Sequence, residues 1–98
     1  MAVVGRQADA RADLYALGVM SFEMLTGQRP YDAKNPIAML RAHASEVIPS
    51  AARRRPGLPP GVDAFMAVAL AKDPEERFQN AEALAAALGA ALGDRRAG

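Results

Sequence analysis

The sequence predicts an all-α protein, and three observations point that way. Alanine, the strongest helix former, is used throughout the 98 residues. Val62, Phe65, Met66, Ala69 and Leu70 recur at spacings that place them in one stripe of a helix. No alternating run of apolar and polar residues is long enough to require a strand. The expected architecture is four main helices plus a short helical turn. They form one domain over residues 9–92, with a disordered lead-in at 1–8 and a disordered tail at 93–98.

The first helix is expected to begin near Asp9 to Asp13, where early carboxylates complement the positive end of the helix dipole. It should stop at Gly27, which can take the left-handed conformation that closes a helix. Between Leu14 and Leu25 the only polar residues are Ser21 and Glu23. Such a helix has no water-facing side and belongs inside a larger body. Gln28 to Asn35 reads as a turn. Asn35 can cap a second helix, Pro36 to Ser45, with proline where its missing N–H costs nothing. Ile37, Leu40 and Ala44 share one side of it. Val47 to Gly61, rich in proline and glycine and carrying Arg53, Arg54 and Arg55, reads as a surface loop. A third helix is expected from about Pro60 to Lys72. Asp73 and Pro74 then signal a short turn, with Glu76 three residues after the cap. Asn80 can cap the last helix, about Ala81 to Leu92, with Leu84, Leu88 and Leu92 four apart.

Composition removes several classes of function. The net charge of +1 implies no polyanionic partner, so nucleic acid is not expected. The absence of cysteine excludes disulfides, thiolate metal sites and a cysteine nucleophile, and fits a reducing compartment. The apolar run from Ala83 to Gly93 is well short of the roughly 18–20 residues that cross a bilayer. The stretch MAVVGRQADA has no long apolar region and no clear cleavage site. The expectation is a cytoplasmic chain without a membrane segment.

Two motifs carry a specific resemblance. One is D-x-Y-x-L-G, present as Asp13, Tyr15, Leu17 and Gly18 and followed by EMLTGQRPY. The other is KDPEERF, Lys72 to Phe78. In this order and with this spacer, the chain from about Gly5 to Leu92 resembles the last part of the catalytic domain of bacterial serine/threonine protein kinases. The resemblance covers the helical C-terminal lobe from its long central helix to its final helix. It implies a parent activity of ATP-dependent phosphorylation of protein serine and threonine, with ATP and Mg²⁺ as the family's cofactors. It also accounts for the first helix, which in that fold is covered on all sides.

Kinase chemistry needs a glycine-rich loop over the phosphates, a strand lysine, an H-R-D loop and a D-F-G aspartate for Mg²⁺. None of these occurs in the sequence, and no A-P-E segment precedes the first helix. The chain alone is therefore expected to hold no cofactor and to catalyse nothing.

Several residues are then assigned by the resemblance. Asp13 matches the aspartate whose carboxylate accepts hydrogen bonds from the catalytic loop; a water-facing acid is the plainer reading. Gly18 closes the first motif. Met20 and Met24 resemble positions that anchor the stacked apolar spines of kinases, with ordinary core packing the plainer reading. Arg77 matches the arginine that pairs with the A-P-E glutamate. It is expected to be an orphan, or to pair with Glu23, Glu75 or Asp73. Glu23 matches a position that in some kinases contacts basic substrate residues, though a solvated or locally paired glutamate suffices.

Other residues are read without the family. His43 has no partner cluster, so neither metal binding nor catalysis is expected of it. Glu75 and Glu76 are adjacent and point apart, which fits capping better than acid–base chemistry. Arg53 to Arg55 read as a solvated run.

The leading function is thus a C-terminal-lobe fragment of a serine/threonine protein kinase, with the remainder of a kinase domain as its partner. A non-catalytic helical interaction module is the alternative, with Ile37, Met39 and Leu40 presenting an apolar face to another protein. A third reading is an unrelated helical bundle using Arg53 to Arg55. Each large apolar side chain left in water forgoes roughly 1.5–3 kcal/mol. Uncovered residues on the first helix should therefore leave the isolated chain marginal or self-associating.

Overall fold

A computed structural model describes the backbone of residues 2–93 and the side chains of residues 10–93. Five α-helices and one 3-10 turn follow each other along the chain: α1 (Ala2–Thr26), α2 (Pro36–Ser45), α3 (Ala51–Arg54), α4 (Gly61–Ala69), the turn Pro74–Glu76, and α5 (Ala81–Gly93). No strand occurs among the described residues.

Most helix ends use the expected chemistry. Gly27 closes α1 at φ 76°, and its N–H donates to the Glu23 carbonyl at 2.8 Å. Asn35 caps α2, accepting from the Ala38 N–H at 2.8 Å, and Asn80 does the same for Ala83 at 2.7 Å. Asp73 accepts from the Glu75 N–H at 2.9 Å, which sets up the 3-10 turn.

Three boundaries depart from expectation. The backbone is helical from Ala2 and not from near Asp9, because nothing in AVVGRQADA except Gly5 resists a helix. Residues 2–8 thus continue the backbone of α1, while most of the expected tail, residues 94–98, lies outside the described residues. The expected loop from Val47 to Gly61 contains a helical turn, α3. Ser50 caps it by accepting from the Arg53 N–H at 3.1 Å, and flanking prolines and glycines masked this signal. Finally, α4 stops at Ala69, short of Lys72. Pro74 disfavours helical backbone just before it, and the chain turns there into the 3-10 segment.

The core lies between α1, α3, α4 and α5. Phe22 and Leu14 of α1, Ala51 of α3, the stripe Val62, Phe65, Met66, Ala69 and Leu70, and Leu84 and Ala91 of α5 form one buried cluster. Phe65 stacks on Phe78 with ring centroids 5.4 Å apart. Inside this core α1 buries two hydroxyls, and each donates to a carbonyl of its own helix: Ser21 to Leu17 and Thr26 to Phe22, both at 2.8 Å. Such back-bonding satisfies a buried hydroxyl within its own helix, and Thr26 Oγ1 also accepts from the Gln28 N–H at 3.0 Å. The principal dimensions are 47 × 33 × 17 Å. The body is thus a plate, about half as thick as it is wide.

Candidate functional site: a polar joint and an uncovered helix face

The plate covers α1 on one side only. Leu14, Gly18, Ser21, Phe22 and Thr26 are buried, at the i, i+4, i+7, i+8 spacing of a single face. On the opposite face Leu17 is 38% exposed, Met20 54% and Met24 76%. Asp13 and Glu23 share that open side. The core-packing reading of Met20 and Met24 is thus overturned, because only one layer of this chain lies against α1. Asp13 is exposed and takes no side-chain partner among the described residues.

Gly18 serves the covered face. A β-carbon there would lie 3.1 Å from the Ala69 β-carbon and 3.2 Å from Leu70 Cδ2. Glycine lets α1 and α4 approach closely.

Where α1, α2, the loop after α1 and the chain beyond α4 meet, five side chains form a polar joint. Burial, then Tyr31, pushes the Tyr15 phenol up to about 12 against the opposing pull of Arg77, so it keeps its proton. Tyr15 Oη and His43 Nδ1 share a hydrogen bond of 2.6 Å. Burial, with Lys72 second, holds the imidazole below its ordinary pKa. Tyr15 and Tyr31 meet the His43 ring edge-on, at 5.4 and 4.9 Å between centroids.

Lys72 Nζ donates to Tyr31 Oη at 2.8 Å and to the carbonyls of His43 at 3.0 Å and Ala42 at 3.5 Å. Those carbonyls end α2, where the helix dipole favours a cation. Arg77 Nε donates to the Ala71 carbonyl at 2.7 Å and Nη2 to the Lys72 carbonyl at 3.3 Å. Its guanidinium lies 4.5 Å from the Tyr15 ring centroid.

Two expectations are corrected here. His43 has partners, and they come from a residue 28 positions away and from beyond α4. Arg77 is neither an orphan nor paired with Glu23, Glu75 or Asp73; carbonyl oxygens and a ring take their place. Arg54, exposed as expected, also donates from Nη1 to the Arg29 carbonyl at 2.7 Å and from Nη2 to the Pro30 carbonyl at 3.2 Å. It fastens α3 to the loop after α1, and Arg53 and Arg55 stay exposed.

A further tie had no signal in the motifs. Asp63 accepts from Ser50 Oγ at 2.6 Å and from the Ala52 N–H at 3.2 Å, so α4 supplies a second cap to α3. Burial alone would raise its carboxyl, but the bonds from Ser50, Ala52 and Ala51 together bring it below the ordinary value.

On α2, Ile37 is 66% and Leu40 71% exposed, while Met39 is half-buried. Among the described residues no group of His, Asp and Glu could hold a metal ion, and no helix is long and apolar enough to cross a membrane. The joint positions helices.

The chain is similar to bacterial protein kinases. It is 52% identical over 83 residues, 83% of its length, to the serine/threonine-protein kinase PksC of Streptomyces coelicolor. It is 41% identical over 92 residues, 92% of its length, to the serine/threonine-protein kinase PknJ of Mycobacterium tuberculosis. It is also 38% identical over 94 residues, 96% of its length, to a protein named as a tyrosine-protein kinase, MasK of Myxococcus xanthus. The matched segment spans only 15%, 16% and 15% of those three proteins. No family model matches the chain.

Proposed function

Because the chain belongs, as a segment, to the bacterial serine/threonine protein kinases, we propose that it supplies the C-terminal helical part of a kinase catalytic domain, from the long central helix to the final helix. The observation that supports this reading is the apolar open face of α1. A soluble helix that finishes its own fold turns polar residues to water. Here Leu17, Met20 and Met24 stand where a covering layer of protein would shield them.

In that setting Asp13 faces the layer that carries the catalytic loop, with a carboxylate free to accept its hydrogen bonds. Met20 and Met24 pack into the covering layer. Gly18 and Arg77 keep the supporting helices in register. ATP and Mg²⁺ do not fit the residues present. Lys72 is committed to Tyr31 and to the end of α2, and no carboxylate cluster is available among the described residues. Phosphoryl transfer therefore belongs to segments outside these 98 residues, and the natural setting is cytoplasmic. The acceptor hydroxyl is not set by this segment, since its relatives carry both serine/threonine and tyrosine names.

The test is a phosphotransfer assay with Mg-ATP and a mixed serine, threonine and tyrosine peptide pool. The 98 residues alone should transfer nothing. Joined to a segment carrying the glycine-rich loop, the H-R-D loop and D-F-G, they should support transfer. Turnover by the 98 residues alone would overturn the proposal.

A second reading rests on α2. Ile37 and Leu40 are exposed on a helix that contributes no residue to the buried core, as a docking surface for another protein would be. Leu40→Asp should then abolish capture of a native partner without altering the helical circular dichroism signal.

A further inference from the structure

Helix α2 is attached unlike the others. None of its residues is buried, and none joins the core cluster. Among the described residues, its side-chain and capping bonds to the rest of the body run through two groups only. Tyr15 reaches His43 Nδ1, and Lys72 reaches the carbonyls of Ala42 and His43. The remaining bonds at its ends are local, to Asn35 and within the helix itself.

We propose that His43 is a proton-sensitive latch: neutral, it holds α2 against α1 and the loop bearing Tyr31; protonated, it lets α2 swing away while the rest of the plate stays folded. The inference is independent of the kinase reading. The geometry explains the sign. Nδ1 lies 2.6 Å from Tyr15 Oη, a group that can donate or accept, so what a proton on the ring changes is the charge placed among its neighbours. The groups facing the ring are Tyr15 from α1, Tyr31 from the following loop and Lys72 from beyond α4. Arg77 lies across the Tyr15 ring from the segment after the 3-10 turn. Two are neutral phenols and two are cations, so an imidazolium would sit among like charges, and among the described residues no carboxylate bonds the ring. The lowered imidazole pKa, from burial first and Lys72 second, agrees. A detached α2 regains an ordinary histidine, so the released state binds the extra proton more tightly, and acid favours release.

The experiment is amide hydrogen exchange on the full chain at pH 7.5 and pH 5.5, with protection factors corrected for intrinsic rates. A free histidine near pKa 6.5 limits the gain in released α2 over this range to about tenfold. Protection of residues 36–46 should fall by about twofold to tenfold, while α4 keeps its protection. In His43→Gln, whose amide can still bond Tyr15, the α2 change should vanish. Proton NMR titration of the His43 ring should give a midpoint below the free-histidine value. The proposal is overturned if α2 protection is equal at the two pH values, if α2 and α4 lose protection together, or if His43→Gln retains the pH response.

Discussion

Gly18 of α1 lies against Ala69 of α4 so closely that a β-carbon at position 18 would come within 3.1 Å of the Ala69 carbonyl oxygen. Backbone is the least yielding neighbour a new side chain can meet. Gly18→Val should therefore destabilise the chain by about 1–3 kcal/mol, the usual cost of overpacking. Gly89 in α5 has nothing within 4 Å of its would-be β-carbon. Gly89→Ala should stabilise by about 0.5–1 kcal/mol, through helix propensity alone. Paired urea denaturation curves of the two variants check both signs.

Arg77 holds the exit of α4 by two carbonyl bonds and a contact with the Tyr15 ring. A lysine keeps the charge but loses the planar fork and the broad face laid on the ring. Arg77→Lys should cost about 1–3 kcal/mol, the range for bonds made by charged groups. Equal stability of Arg77→Lys and wild type in urea would remove this role.

Asp63 ties α3 to α4 and has its carboxyl brought below the ordinary value by its three hydrogen bonds, which outweigh burial. The sign follows from linkage. The folded state binds the proton less tightly than the unfolded state, so the stabilisation is complete above about pH 4. It is lost as pH falls through the folded value. Asp63→Asn should cost about 0.5–2 kcal/mol at pH 7, as for loss of a helix cap. It should also flatten the acid limb of a stability–pH curve, measured by denaturant melts from pH 2 to 7.

The open face of α1 makes opposite demands on stability and association. Met20→Gln with Met24→Gln removes apolar surface that touches little of this chain, so unfolding free energy should change by no more than about 0.5 kcal/mol per site. The same double variant should shift the purified chain toward monomer in light scattering. A loss of several kcal/mol would mean that these methionines are packed after all.

Much of this architecture was legible in the sequence because it is set locally. Asn35, Asp73 and Asn80 announce helix starts within three residues of themselves, and the α4 stripe names its own buried face. The two-sided character of α1 was legible only in part. An all-apolar helix says that it must be covered, and not which side its own chain covers. The polar joint was hidden for a different reason. The side chains of His43, Lys72 and Arg77 find no partner within four residues along the chain, and their acceptors are mostly backbone carbonyls, which every residue carries and no motif marks. Tyr15 and Tyr31 were visible as residues of the kinase-like segments but not as neighbours. The α3 turn was obscured by the prolines around it, though Ser50 before Ala51 and Ala52 was a usable cap signal.

The face of α1 that carries Leu17, Met20 and Met24 has little cover of its own among the described residues. Laying a second layer of protein over Leu17, Met20 and Met24 would remove their apolar surface from solvent. That removal has a thermal signature separate from affinity: the heat of association should become more exothermic as temperature rises, a negative heat-capacity change. Titration calorimetry at several temperatures would thus tell a true covering layer from a partner that merely touches the rim.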